Sequence, residues 1–175
     1  MNFYIKQNVF NLWGEKFNIQ NEQFQDCFQV KTAVKIFKKY LILDMQNNTL
    51  LILKKRYGRI LKRWDICDAE GKLLFIVKQR FTPFKPSFKI INVDPTINGN
   101  YSVSGNIFSF TFQIKKDEQE ISSVRKKIVS FGDSYEISVD DPNEIMRSIA
   151  ITLVFDAVNH KKKSSLGNFS NMLGN

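Results

Sequence analysis

Residues 141–158 read DPNEIMRSIAITLVFDAV, and this stretch constrains the architecture more strongly than any other part of the chain. Asp141 and Pro142 are typical of a helix start, because aspartate accepts hydrogen bonds from unpaired backbone amides and proline suits the first helical position. Apolar residues then cover most of the helix circumference. The polar residues form one narrow stripe: Ser148, Thr152, Asp156 and Asn159. A helix with so little polar surface must be enclosed, so the sequence predicts an enclosed helix over about 142–160.

The apolar run of this helix does not fit a membrane span. The run from Ile149 to Phe155 is much shorter than the roughly 20 residues that a bilayer requires. Arg147 and Asp156 bracket it with charge. The wall around the helix is therefore expected to be protein, with no transmembrane span.

Alternation with a period of two dominates the chain before the helix. The stretch 107–114 reads IFSFTFQI, which predicts one strand with Phe108, Phe110, Phe112 and Ile114 on its buried face. Nine similar short runs are separated by turn signals, of which Asn98-Gly99-Asn100, Ser104-Gly105-Asn106 and Gly132-Asp133 are examples. About a dozen strands fit into the first 140 residues.

A weak internal repeat accompanies the strands. An aromatic residue is followed seven positions later by an aromatic-x-Ile unit, with Tyr135 and Ile137 in a degenerate last copy. The four units are Phe17-Asn18-Ile19, Trp64-Asp65-Ile66, Phe88-Lys89-Ile90 and Tyr135-Glu136-Ile137. This pattern favours hairpins whose apolar sides face one interior, although a Phe-rich β-protein could also produce it by coincidence.

The strands and the helix can bury each other's apolar surface. A closed sheet of this size needs something to fill its lumen, and the apolar helix needs a wall on every side. The sequence therefore predicts a mainly β fold, an antiparallel barrel of about twelve strands that encloses its C-terminal helix. We expect one domain over 1–163 and a disordered tail over 164–175.

Composition argues against most enzyme chemistry. The 175 residues include a single histidine, His160, so there is no His/Cys cluster for zinc, and any catalytic triad would have to use that one residue. Neither a GxxxxGK[S/T] loop nor a GxGxxG motif is present to hold a nucleotide. We expect a non-enzymatic protein with no metal and no cofactor.

Cysteine usage bears on the compartment. Cys27 and Cys67 follow an N-terminus, 1–8, that lacks the apolar segment of a secretory signal. A chain of this length can bury a sufficient core without a disulfide. We therefore expect reduced thiols and a cytoplasmic protein, peripheral at a membrane if it binds one.

Charge is the strongest functional signal. The chain holds 26 Lys and Arg against 17 Asp and Glu, a formal net charge of +9. Between Met45 and Trp64 there is no acidic residue. The basic residues of that stretch are Lys54, Lys55, Arg56, Arg59, Lys62 and Arg63. Such a cluster predicts a surface for a polyanion, while a basic composition without a binding role is the competing interpretation.

Three motifs resemble the LURP-one-related family of the Tubby C-terminal-like superfamily. They are Tyr4-Ile5-Lys6-Gln7, the segment 126–137 (KKIVSFGDSYEI) and Ser148-Ile149-Ala150-Ile151. The resemblance covers residues 3 to about 160 and implies a twelve-stranded barrel around a central helix. The stretches 92–100 and 117–120 depart from the family's short-turn spacing.

The resemblance also implies a function. Tubby domains bind phosphoinositide head groups, and the phospholipid scramblases are similar in fold, so we expect a module that binds anionic phospholipid at a membrane surface. No family motif identifies the ligand-binding residues one by one. The candidates are the basic residues of neighbouring strands: Lys54, Lys55, Arg56, Arg59, Lys62, Arg63, Lys78 and Arg80.

Other functional classes stay open at the level of sequence. Tyr57 and Trp64 flank basic residues, as the stacking aromatics of a nucleic-acid module would, although both also fit the lining of a barrel. A protein-interaction module is a further alternative. Four carboxylates near the helix start could serve as acid and base or hold a cation, but turn, strand and capping roles explain them better. They are Asp133, Glu136, Asp140 and Asp141.

Overall fold

The architecture was described from a computed structural model. The structure describes residues 1–6, 17–34, 39–58, 60–82, 87–129 and 132–170. Of these, residues 6, 34, 128–129, 132–133 and 160–170 are described by their backbone alone.

Twelve antiparallel strands form one sheet. In chain order they are β1 (Asn2–Lys6), β2 (Phe17–Gln20), β3 (Asp26–Val34), β4 (Lys39–Leu43), β5 (Thr49–Arg56), β6 (Arg63–Cys67), β7 (Leu73–Arg80), β8 (Ser87–Asn92), β9 (Tyr101–Asn106), β10 (Thr111–Lys116), β11 (Gln119–Val129) and β12 (Gly132–Val139). Consecutive strands are neighbours, and β1 pairs with β12. The sheet curls into a nearly closed barrel with β8 and β9 at the ends of its hydrogen-bonded order. The predicted fold class is confirmed.

The C-terminal helix fills this barrel. The Asp141 side chain accepts a hydrogen bond from the Asn143 amide at 2.8 Å, Pro142–Glu144 form a 3-10 turn, and α1 runs over Ile145–Ser170. Every side chain from 148 to 158 is buried. Phe155 shows the enclosure, because its ring packs edge-on against Phe88 of β8 and Phe112 of β10.

The helix bounds differ from the expected range of 142–160. Its first three residues form the 3-10 turn, and helical backbone continues to Ser170. The single domain over 1–163 and the disorder of the tail 164–175 stay predictions, and 171–175 lie outside the described residues.

The polar stripe of the helix is buried with the rest. Thr152 Oγ1 donates to the Ser148 carbonyl at 2.7 Å, and Asn159 Nδ2 donates to the Ile107 carbonyl at 2.7 Å. Asp156 lies against Tyr135 of β12, where burial and the adjacent carboxylate raise the pKa of the phenol. The stripe thus binds polar groups of the helix and the wall, which fixes one rotation of the helix inside the barrel.

One predicted strand is wrong in its first half. Residues 107–110 form the turn between β9 and β10, and the strand begins only at Thr111. Ser104-Gly105-Asn106, predicted as the turn, instead ends β9. Phe110 and Phe112 are both buried, so the apolar alternation continues in the sequence from the turn into β10. The backbone is not extended throughout, because Phe110 has a φ of 51°.

The predicted turn at Gly132-Asp133 is also wrong, since β12 begins at Gly132. The inward-facing repeat agrees with the structure at its isoleucines, because Ile19, Ile66, Ile90 and Ile137 are all buried. Cys27 and Cys67 are free thiols, as expected.

The two ends of the barrel differ in composition. Connections from even- to odd-numbered strands, together with the helix start, lie at one end, which we call the acidic end. Their acidic residues are Glu22, Asp44, Asp68, Glu70, Asp94, Asp117, Glu118, Asp140, Asp141 and Glu144, ten of the chain's 17. The opposite end, where β5 and β7 end, is called the basic end. In its described connections, 57–58, 60–62, 81–82 and 107–110, no acidic residue occurs.

Candidate functional site

A row of basic side chains crosses four strands on the outside of the barrel. The register pairs Arg56 of β5 with Arg63 of β6, Arg63 with Lys78 of β7, and Lys78 with Lys89 of β8. Buried inward residues such as Trp64 and Val77 alternate with this row, so the row points outward. Three strand spacings make it roughly 14 Å long.

Two more basic residues extend this row. Lys54 lies two residues before Arg56 and Arg80 two residues after Lys78, on the same outer side. We call the set the basic face, and its members are Lys54, Arg56, Arg63, Lys78, Arg80 and Lys89. Within the described part of the chain, Lys78, Arg80 and Lys89 form no ion pair.

A buried carboxylate organises the two arginines of the row. Asp65 is the only acidic residue of β5 to β8, and its side chain is fully buried. Arg56 Nε donates to Asp65 Oδ2 at 2.5 Å, and Arg63 Nε donates to Oδ1 at 2.8 Å. Each guanidinium is thus held through its Nε, with its terminal nitrogens outside these two bonds. This carboxylate allows two like charges to stand side by side and orients them before any ligand arrives.

The structure does not bring all predicted site residues onto this face. By strand alternation Lys55 falls on the inner side, opposite Trp64, and its Nζ lies 4.5 Å from the centroid of the Tyr57 ring at the barrel end. Lys62 precedes β6, and its carbonyl accepts a hydrogen bond from the Gln79 amide at 2.8 Å. Arg59 lies outside the described residues.

Sequence reasoning missed Lys89. It stands far from the basic cluster in sequence and joins it only through the pairing of β7 with β8. A signal was nevertheless present, because Lys89 is the middle residue of the repeat unit Phe88-Lys89-Ile90. The corresponding position in another unit is Asp65, which also points outward, so the repeat could have identified this position.

Trp64 and Tyr57, the aromatic pair expected of a nucleic-acid module, differ in exposure. Trp64 is 2% exposed and stacks on Tyr40 inside the barrel, with ring centroids 5.8 Å apart. Tyr57 is 46% exposed, so its interpretation as barrel lining is wrong. Residues 64 and 57 therefore do not form a common stacking surface.

Comparison with known proteins identifies the family. The LURP-one-related family model matches residues 1–156 of the chain. The chain belongs to the LURP-one-related family.

Two further comparisons cover most of the chain. The uncharacterised protein YxjI of Bacillus subtilis is 26% identical over 156 residues, which are 89% of this chain and 91% of that protein. A crystal structure of an Arabidopsis thaliana protein superposes with a TM-score of 0.62 at 15% identity, covering 90% of both chains. The second comparison shows the fold. The LURP-one-related family and the barrel fold together suggest a binding module.

Two of the four carboxylates weighed as an alternative site have separate structural roles in this LURP-one-related barrel. Glu136 pairs with Lys127 at 2.6 Å on the outside of β12, while Asp141 caps the helix. Asp140 is exposed, and Asp133 is described by its backbone alone. An open cleft of about 370 Å³ at the acidic end includes Asp140 and Asp141. Within the described residues, no group of His, Cys, Asp and Glu side chains is arranged to hold a metal ion.

The described residues also contain no helix that is both long and apolar enough to cross a bilayer.

Proposed function

We propose that this protein binds the head groups of anionic phospholipids at a membrane surface through the basic face. One observation carries the proposal: four basic side chains, Arg56, Arg63, Lys78 and Lys89, stand in one row on adjacent strands. Like charges directly opposite each other destabilise a sheet, so folding alone does not favour this row. A ligand with several negative charges would relieve the repulsion.

The chemistry of the row suits phosphate groups. Guanidinium groups present a planar fork that matches phosphate oxygens, and lysine adds mobile point charges. Asp65 already holds both arginines by their Nε atoms, so less side-chain freedom is lost when they bind. A row roughly 14 Å long can contact more than one head group, as a membrane surface would require.

The family adds a separate argument. The chain resembles Tubby-like barrels, for which phosphoinositide binding is the expected activity, but resemblance in fold is only an association. Single-stranded nucleic acid is the competing polyanion. Because Trp64 is buried, the basic face lacks the tryptophan that stacking on bases would use.

The test compares two triple variants of equal charge change. The first, Lys78→Gln with Arg80→Gln and Lys89→Gln, removes exposed charge from the basic face. The matched control is Lys31→Gln with Lys115→Gln and Arg125→Gln. It removes three charges from the outer side of β3, β10 and β11. Binding to vesicles of phosphatidylcholine with an anionic lipid is measured by sedimentation across salt concentrations.

Each lost charge near the surface is expected to cost about 1 kcal/mol, so the first triple should bind about 100-fold more weakly. Binding of the parent should fall as salt rises above about 0.1 M. The control triple should stay close to the parent. Absence of parent binding at low salt, or equal loss in both triples, would contradict the proposal. Tighter binding to a single-stranded oligonucleotide would favour the competing ligand.

A further inference from the structure

The two most exposed apolar side chains in the described part of the chain lie at the basic end. Ile60 is 101% exposed in the connection between β5 and β6, and Phe81 is 84% exposed directly after β7. Other exposed large apolar residues reach at most 52%. Neither Ile60 nor Phe81 contributes to the core, so their apolar character has no role in folding.

Two hydrogen bonds between Lys62 and Gln79 hold Ile60 and Phe81 on the same rim of the barrel. The Gln79 amide donates to the Lys62 carbonyl at 2.8 Å, and the Lys62 amide donates to Gln79 Oε1 at 3.4 Å. Ile60 stands two residues before this link and Phe81 two residues after it. The connection between β5 and β6 is thus tied to the end of β7, and both apolar side chains project from the same rim.

The surroundings of this rim are cationic and amphipathic. Arg56 and Arg80 are the last residues of β5 and β7, so charge borders the apolar side chains on both strands. Tyr57 is half-exposed beside the Lys55 ammonium. Tyrosine and basic side chains around protruding aliphatic and aromatic groups are typical of residues at the level of lipid head groups.

Charge complementarity selects an anionic bilayer as the occupant. The described connections of the basic end carry no carboxylate, while ten acidic residues lie at the opposite end. A negative surface would attract the first end and repel the second, so the whole molecule would be oriented.

We propose that the barrel docks end-on, with Ile60 and Phe81 inserted among the lipid head groups and upper acyl chains of an anionic membrane. The basic face then contacts phosphates beside the inserted side chains, and the acidic end points away. This proposal rests on the proposed lipid binding and adds its orientation and its apolar component.

The first experiment separates insertion from charge. The variant Ile60→Ser with Phe81→Ser is compared with Met45→Ser with Val93→Ser, which removes exposed apolar side chains from the acidic end. The first pair should lower affinity for phosphatidylcholine–phosphatidylserine vesicles about tenfold or more, at low salt and high salt alike. The second pair should bind as the parent does. Melting temperatures of both variants should match the parent, since the replaced side chains are exposed.

A second measurement reports directly how deeply residue 81 enters the bilayer. In Phe81→Trp, brominated lipids should quench more tryptophan emission than in the parent, whereas Val93→Trp should show no added quenching. Parent binding that survives Ile60→Ser with Phe81→Ser, without added quenching in Phe81→Trp, would overturn the insertion and leave head-group binding intact. Absence of parent binding to anionic vesicles would overturn both proposals. Unchanged vesicle binding with a loss of self-association in Ile60→Ser with Phe81→Ser would assign the rim to a second copy of the chain instead.

Discussion

The acidic end and the basic end use their polar residues differently. At the acidic end, aspartates build the turns: Asp44 accepts from the Gln46 and Asn48 amides, and Asp68 accepts from the Lys72 amide. Asp94 accepts in the same way from the Thr96 amide, and Asp117 accepts from the Asn100 amide of the neighbouring connection. Short carboxylate side chains favour such turns because they replace a backbone acceptor. Folding therefore accounts for these four aspartates.

The basic end has no comparable explanation. Its described connections contain no aspartate or glutamate, and two large apolar side chains extend into solvent. The row of basic residues beside them opposes like charges across strands. Sequence features that folding does not require are the ones most informative about function. The comparison therefore supports the proposal that binding takes place at the basic end.

The largest expected effect is a loss of stability when the enclosed helix, which runs between the two ends, is disrupted. Leu153 is fully buried in the middle of α1, and Leu153→Asp places a carboxylate in an apolar interior. We expect a loss on the order of 4 kcal/mol, which is most of the stability of many domains. Thermal unfolding followed by circular dichroism measures it.

Leu153→Met is the control for this variant, because it keeps volume and should cost less than about 1.5 kcal/mol. A melting temperature of Leu153→Asp within a few degrees of the parent would contradict the enclosed helix.

A smaller loss of stability is expected when the buried carboxylate of Glu144 at the acidic end is removed. Glu144 is buried, and its carboxylate accepts from Tyr101 Oη at 3.0 Å and Lys116 Nζ at 3.0 Å and forms an ion pair with Arg147 Nη1 at 3.1 Å. Glu144→Ala leaves two cations without this partner, and because both are partly exposed we expect a loss of about 2 kcal/mol. Glu120→Ala, in the same cleft but exposed, is the matched control and should change stability little. Binding to anionic vesicles should be unaffected if function resides at the other end.

Much of the fold could be predicted because one element left few solutions. The apolar circumference from Ile149 to Val158 requires enclosure, and period-two strands supply the wall. The error at 107–114 has a physical cause, since apolar residues on both sides of the turn are buried and periodicity alone cannot show where the chain reverses. The positive φ of Phe110 lies at that point, and phenylalanine gives no sequence signal for it.

The candidate site was predicted less completely. Sequence reasoning identified Arg56, Arg63 and Lys78 as basic residues of neighbouring strands, but Lys89 joins them only through the register of β7 with β8. The inner position of Lys55 follows from alternation within β5, whereas the exposure of Ile60 depends on tertiary structure and no pattern in the sequence indicates it. Local residues are therefore predictable where spacing determines the face, and a cross-strand partner far away in sequence, such as Lys89, is not.

The smallest expected effect is a pH dependence confined to the acidic end. Asp94 accepts from Lys72 Nζ at 2.7 Å and from the Thr96 amide and hydroxyl at 3.0 and 2.8 Å, and these bonds lower its pKa to about 2. Because this folded-state pKa lies below the ordinary value of about 3.9, the contribution to stability is complete above the ordinary value and is lost as pH falls toward 2.

In Asp94→Asn we therefore expect a lower melting temperature than the parent at pH 7, with the gap closing between pH 5 and pH 2. Asp140→Asn, at an exposed carboxylate of the same end, controls for the loss of charge alone. A gap that stays constant across this range would mean that the turn is stabilised by shape rather than by the ionised carboxylate.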